Sequence, residues 1–250
     1  MKENKRKNLI ISADDFGISP EANQKILKLI RAGKIDRVSI MVNENISPNE
    51  ILELKNSEVL LDIHLELIEI KTKKRKLKDG IIKRSANFLF KYLFGKISAP
   101  AIELSWEKQI QKFKEIFAKF PDGINSHQHI HFLPAYFKII LKMSQKFQIP
   151  YLRFGKYGLI KGKNNVFHIL NFLHKKNSRV SDAFDSSDFL VSLDWIYPVK
   201  YSPWRVVRNY GQFNRVKNIE NFLENLPRGE TEIICHPERE EEFEIIMKYF

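Results

Sequence analysis

Asn8-Leu9-Ile10-Ile11-Ser12-Ala13-Asp14-Asp15-Phe16-Gly17-Ile18-Ser19-Pro20 is an apolar run that ends in two carboxylates, a glycine and a helix start. Asn8 to Ala13 has the continuous apolar character of a strand buried in a parallel sheet. Ser19 supplies an N-cap and Pro20 the first position of a helix that runs to about Ala32, where Gly33 stops it. This is one β/α unit, and Asp14 and Asp15 stand at the carboxyl end of its strand.

The same alternation continues outward. Val38 to Asn43 reads as a second strand, followed by Ser47-Pro48-Asn49-Glu50 with the spacing of a capping box, and Val59 to Leu65 reads as a third. Ser105 to about Phe120 has helical spacing, with Trp106, Ile110, Phe113 and Phe117 on one face, and Pro121-Asp122-Gly123 ends it. Ile124 to about Gln128, Tyr151 to Phe154, Phe189 to Leu193 and Glu232 to Cys235 are the remaining strands. Helices are predicted over Pro134 to Phe147, Asn164 to Lys176, Ile219 to Leu226 and Glu238 to Phe250. Strand and helix in alternation imply a parallel sheet with right-handed crossovers, and at 250 residues a closed or nearly closed barrel is expected. The predicted fold is α/β, a distorted (β/α) barrel of about seven parallel strands forming a single domain over 1–250, with a basic insertion at about 70–100.

Composition narrows the function. Apolar residues at 43%, charged residues at 29% and 19 Phe describe a chain with a well-filled interior. The single cysteine, Cys235, excludes an internal disulfide and lies in an apolar run. The basic N-terminus precedes an apolar run far shorter than a signal peptide core, and no stretch approaches a membrane span, so a cytoplasmic location is expected. Of the net charge of +12, seven units come from Lys71 to Arg84, where eight basic residues face the one acid Asp79. A solvated loop, or a contact with an anionic partner such as a lipid head group at the membrane periphery, explains such a run. No RNP-type aromatic motif, zinc-finger spacing or glycine-rich phosphate loop accompanies it, and no nucleic-acid partner is expected. The aromatic stretch Phe88 to Phe94 either covers the barrel or forms a subunit contact, the latter giving a homodimer.

The chemistry follows from the placement of polar residues. In a parallel barrel the carboxyl ends of all strands share one face, so residues ending separate strands converge. Asp14, Asp15, His64, His127 and His236 all meet that condition. One carboxylate and two neutral imidazoles with positions left for water form a common catalytic metal set that suits zinc and also manganese, iron, cobalt or nickel; as the cofactor one divalent ion is expected, magnesium or zinc first, with manganese, cobalt or nickel as alternatives. Two adjacent aspartates on an extended chain point to opposite sides, so they take separate jobs. His127, His129 and His131 stand at i, i+2 and i+4 and would share one face of a continued strand. His127, nearest the strand end, is the first choice of ligand among them. Asp-Phe-Gly also occurs in kinases, but here it lies beside the N-terminus with no glycine-rich lobe before it.

Residues 8–19, the His64-Leu65 pair, Asp122 to His131 with Leu133-Pro134, Leu152-Arg153, Ser181-Asp182-Ala183-Phe184 and Cys235-His236-Pro237 together resemble the YdjC (ChbG/HpnK) family of carbohydrate deacetylases. The resemblance implies a barrel related to polysaccharide deacetylases and metal-dependent removal of an N-acetyl group from an amino sugar, on a chitooligosaccharide or a lipid-linked glycan. Carried over by position, it implies one divalent metal ion on Asp15, His64 and His127, Asp14 as general base, His236 as general acid, and Arg153 as a residue that orients a catalytic carboxylate. His129, His131, Phe16 and Asp182 are the expected substrate contacts. The chain departs from the family where it carries Asp62, Glu66 and Glu238, and Asp62 and Glu66 are expected to add negative charge near the metal. The alternative from another class is a catalytically silent barrel that binds a glycan or anionic lipid and uses its metal structurally.

Overall fold

The computed structural model describes residues 8–42, 46–67, 99–157, 165–178, 184–196 and 219–250. The basic insertion, the Phe88 to Phe94 stretch and Asp182 lie outside the described residues. Seven strands form one parallel sheet in the order β5-β4-β3-β2-β1-β7-β6. They are β1 Leu9–Phe16, β2 Arg37–Ile40, β3 Leu60–Leu65, β4 Gly123–Ser126, β5 Tyr151–Leu152, β6 Phe189–Ser192 and β7 Thr231–Cys235. The sheet curls so far that its edges meet, through parallel bridges Tyr151 to Asp185 and Lys156 to Phe189, where Leu190 N donates to Lys156 O at 3.0 Å.

The helices are α1 Pro20–Arg31, α2 Pro48–Lys55, α3 Ala99–Phe117, α4 Pro134–Phe147, α5 Asn165–Asn177 and α6 Glu240–Tyr249, with a single turn at Leu193–Ile196 and a short helix at 219–224. Their starts follow local chemistry. Ser19 Oγ accepts from Ala22 N at 3.1 Å ahead of Pro20, and Ser47 and Glu50 form a complete capping box. α3 begins at Ala99, six residues before the predicted start, and Trp106, Ile110, Phe113 and Phe117 are its buried face. Among the described residues no helix is long and apolar enough to cross a membrane.

The two faces of the sheet differ. Ile11 and Ala13, Val38 and Ile40, Leu61, Ile63 and Leu65, Ile124, Leu152, Ile233 and Cys235 are buried in the apolar core. Alternate positions carry Ser12 and Asp14, Arg37 and Ser39, Asp62 and His64, Asn125, Arg153 and Glu232, all buried and hydrogen-bonded to one another inside the curl. The period of two along a strand makes this possible: the helices cover one set and the interior holds the other. Gly123 belongs to the polar set, and a Cβ there would lie 2.5 Å from both Arg37 Nη2 and Asp62 Oδ1. Its missing side chain is the space in which that ion pair sits. Arg37 Nε and Nη2 donate to Asp62 Oδ2 and Oδ1 at 2.8 and 2.6 Å. The charge of Asp62 is therefore neutralised within the floor of the barrel, which corrects the expectation that it would burden the metal site.

Two local departures matter for the site. β1 runs on through Asp14 and Asp15 to Phe16 with a register shift between Ala13 and Phe16, and Asp15 takes φ 68°. β4 stops at Ser126 and the chain turns sharply over His127–Phe132, with Gln128 and His129 left-handed at φ 58° and 54°. The three histidines thus do not share a strand face, because the strand ends before the first of them.

Candidate metal centre

Asp15, His64 and His127 converge from β1, β3 and the turn after β4. Asp15 Oδ1 lies 3.0 Å from His127 Nδ1 and 3.2 Å from His64 Nε2, and the two ring nitrogens are 3.3 Å apart. Ligands held about 2.0–2.2 Å from one cation stand about 3.0–3.4 Å from each other, so this triangle has the size of one face of a coordination shell. Asp15 reaches it through a backbone conformation that costs a non-glycine residue about 1–3 kcal/mol and that persists only where surrounding structure enforces it. Here Gly17 N donates to Asn23 Oδ1 at 2.6 Å and Ile18 N to Asp15 O at 3.1 Å, which lock the turn.

The tautomer of His64 is set from behind. Its Nδ1 is hydrogen-bonded to Asn125 Oδ1, and Asn125 Nδ2 donates to Ser39 Oγ at 2.9 Å, which points the amide oxygen at the ring. A carbonyl oxygen accepts only, so the proton sits on Nδ1 and the Nε2 lone pair faces Asp15 and His127. The donor set therefore fits a divalent cation. Burial raises the Asp15 carboxyl, but His127 and His64 more than offset it and hold Asp15 well below the usual carboxylate range. Burial lowers His64, and Asp14 and Asp15 outweigh it and raise the ring above its ordinary value.

Asp14 lies in the buried polar set inside the curl, on the same side as His64, because the bulge and the left-handed Asp15 break the alternation of β1. Arg153, with no solvent exposure, donates from Nη1 and Nη2 to Asp14 Oδ2 and Oδ1 at 2.7 and 2.9 Å. The same guanidinium donates from Nε to Glu232 Oε1 at 2.7 Å and from Nη2 to Ser39 Oγ at 3.0 Å. Glu232 is pinned in turn by Ser12 Oγ at 2.6 Å and by Tyr151 Oη at 2.7 Å. Against the burial that raises it, Arg153 keeps Asp14 ionised, far below the usual range. His236, after β7, completes the group: burial lowers its imidazole, but Glu242 carries it up to about 9, with Asp15 adding to the effect.

The remaining expected contacts part company. His129 packs edge-on against Tyr157 with ring centroids 5.9 Å apart, and its buried Nδ1 makes no hydrogen bond among the described residues. Burial holds its imidazole well below the ordinary value, so it is neutral. His131 is fully buried: Nδ1 pairs with Ser126 Oγ at 2.7 Å and Nε2 with the backbone oxygen of Arg153 at 2.8 Å. Both nitrogens are spent bracing the turn against β5, which leaves none for a substrate. Phe16, with no exposed surface, belongs to the apolar core. These two placements correct the expectation of substrate contacts at His131 and Phe16.

Asn125, Ser39, Glu232 and Glu242 were not singled out from the sequence. Asn125 pairs in register with His64 on the neighbouring strand, a relation that only strand pairing reveals. A signal existed for Glu232, a lone charge within the apolar run of β7.

A family model described as YdjC-like protein matches residues 8–248. A protein named carbohydrate deacetylase from Clostridium beijerinckii is 26% identical over 232 residues, 92% of this chain and 80% of its own length. One of the same name from Danio rerio is 28% identical over 153 residues, 58% of this chain and 49% of its own, so the match spans about half of that relative. A chitooligosaccharide deacetylase from Yersinia pestis is 24% identical over 149 residues, 58% of each chain. Among solved structures, a putative cellobiose-phosphate cleavage protein from Enterococcus faecalis superposes with a TM-score of 0.63 at 16% identity, covering 96% of this chain and 90% of that one, which is a likeness of fold.

Proposed function

The chain belongs to the YdjC-like family, and from that membership we propose that it is a metal-dependent hydrolase that removes the N-acetyl group from an amino sugar, free as a chitooligosaccharide or lipid-linked. The observation that carries this reading is the convergence of Asp15, His64 and His127 beside an ionised Asp14 and a protonated His236. Residues 1–250 act in it as one domain.

Asp15, His64 and His127 would hold the cation, magnesium or zinc being the first candidates. Bound there, it supplies Lewis acidity to the acetamide carbonyl and to water beside it. Asp14 takes a proton from the attacking water as its oxygen bonds to the carbonyl carbon. Arg153 holds both carboxylate oxygens of Asp14, so the base stays oriented through the step. The carbon–nitrogen bond then breaks, and His236 passes its proton to the departing amine, giving acetate and a free amino sugar. Because His236 is held up at about 9, it carries that proton at neutral pH. Asn125 keeps His64 in the tautomer that ligation needs.

The test is acetate release from N,N′-diacetylchitobiose and from an N-acetylglucosaminyl lipid, with Mg²⁺, Zn²⁺, Mn²⁺, Co²⁺ or Ni²⁺ supplied. Asp14→Asn should lose turnover and keep metal binding by calorimetry, while His64→Ala loses both. Turnover in Asp14→Asn would remove Asp14 as base. A chain that binds these ligands and releases no acetate with any of the five ions would be a silent glycan-binding barrel instead.

A further inference from the structure

The C-terminal helix places a second carboxylate behind the candidate acid. Three glutamates open α6, and only Glu242 of the three turns inward, with no exposed surface. Its Oε2 accepts from His236 N at 2.7 Å and lies 3.5 Å from His236 Nδ1, an ion-pair distance, and that buried nitrogen makes no hydrogen bond among the described residues, so Glu242 is the carboxylate that faces it. Its Oε1 accepts from Arg239 Nη1 at 2.5 Å. Arg239 also reaches Asp194 Oδ2 at 3.2 Å, and Asp194 Oδ1 accepts from Ser192 Oγ at 2.6 Å, so the carboxylate is anchored to the end of β6. No group on β7 itself does this work, and a buried carboxylate is stable only beside cations that match it.

We propose that Glu242 is the positioning residue of the general acid: its buried carboxylate faces His236 Nδ1 and so leaves Nε2 on the opposite side of the ring for the leaving amine. The catalytic consequence rests on the reading under Proposed function; the orientation and proton affinity do not. The charges acting on His236 are Glu242 and Arg239 from α6 and Asp14 and Asp15 from β1. Of these, Glu242 is the largest influence that raises the ring, and Arg239 opposes it. Burial alone favours the neutral imidazole, so removing the Glu242 charge lets burial and Arg239 prevail.

The experiment is a histidine titration by ¹⁵N–¹H long-range NMR on ¹⁵N-histidine protein treated with EDTA, with His236 identified by loss of its signal in His236→Gln. In the unaltered protein the His236 signal should titrate well above the ordinary imidazole range. In Glu242→Gln, which retains an oxygen to accept from His236 N, the midpoint should fall by more than one unit, a loss of more than tenfold in proton affinity. Glu242→Asp, which keeps the charge, should recover part of it, and the basic limb of kcat/KM should follow the NMR midpoint in each variant. Arg239→Met should move the midpoint up, and this variant keeps the test open if Glu242→Gln fails to fold. An unchanged midpoint in Glu242→Gln, or a downward shift in Arg239→Met, overturns the proposal. Absence of acetate release alongside the expected titration would sink the deacetylase reading and leave the Glu242–His236 pairing standing.

Discussion

Replacing Arg37 by Met isolates a buried carboxylate two residues below His64 on β3. In the parent, Asp62 has no solvent exposure and both its oxygens are engaged by Arg37 at 2.8 and 2.6 Å. The guanidinium also lies 4.0 Å from the centre of the Tyr151 ring, so its apolar replacement keeps a packing partner. Breaking a buried pair from one side costs about 3–5 kcal/mol, because a charge is left without its match. For a chain of this size that is roughly 6–20 °C in Tm. Removing both charges is different. Burial keeps Asp62 above its ordinary value of 3.8 even with Arg37 beside it, so desolvation outweighs the attraction between the partners. The double variant Arg37→Met/Asp62→Leu should therefore lie within about 1 kcal/mol of the parent or above it. The sign with pH is equally definite. A carboxyl whose folded value is raised stabilises the fold below its unfolded value and loses that contribution as pH rises through the folded one. The deficit of Arg37→Met should then be smaller at pH 5 than at pH 8. Urea unfolding with linear extrapolation at both pH values measures all three quantities. A single variant costing under about 1 kcal/mol, or a double variant as unstable as the single, would refute this account of the barrel floor.

Gly123→Ala should be nearly as damaging as Arg37→Met, since its Cβ would meet Arg37 Nη2 and Asp62 Oδ1 at 2.5 Å and push the pair apart; thermal unfolding reads it, and a shift under about 2 °C would contradict it. Asp14, Asp15 and Glu242 are all held below their ordinary values, so their contribution is present above the unfolded values of 3.8, 3.8 and 4.5 and is lost as pH falls below that range. Stability should drop steeply below about pH 4, and the drop should be shallower in Asp14→Asn, as measured by urea midpoints between pH 3 and pH 6.

The elements that local spacing controls were legible. Ser19-Pro20 and Ser47-Pro48-Asn49-Glu50 start helices in the structure because a cap depends on atoms three residues apart. The apolar runs became β1, β3 and β7 within a few residues of their expected bounds, since burial in a parallel sheet demands such runs. Asp15, His64 and His127 were legible as strand-end residues, and the fold brings strand ends together. The fates of His131 and Phe16 were not. His131 lost its role to the turn at Gln128 and His129, whose left-handed backbone no local propensity announces. The bulge after Ala13 turned Phe16 into the core.

Residue order was enough to point to a parallel α/β barrel, its family and a candidate metal-ligating set at the strand ends, because periodicity and capping act over a few residues and the topology does the rest. Partnership was a matter for three dimensions. Which carboxylate clamps Arg153, which amide fixes His64, and which glutamate faces His236 depend on strand register, on the curl that brings β5 toward β6, and on how α6 docks. Buried charges find their matches across separations of up to 139 residues, as Arg153 and Asp14 do, and such distances leave no periodic trace along the chain.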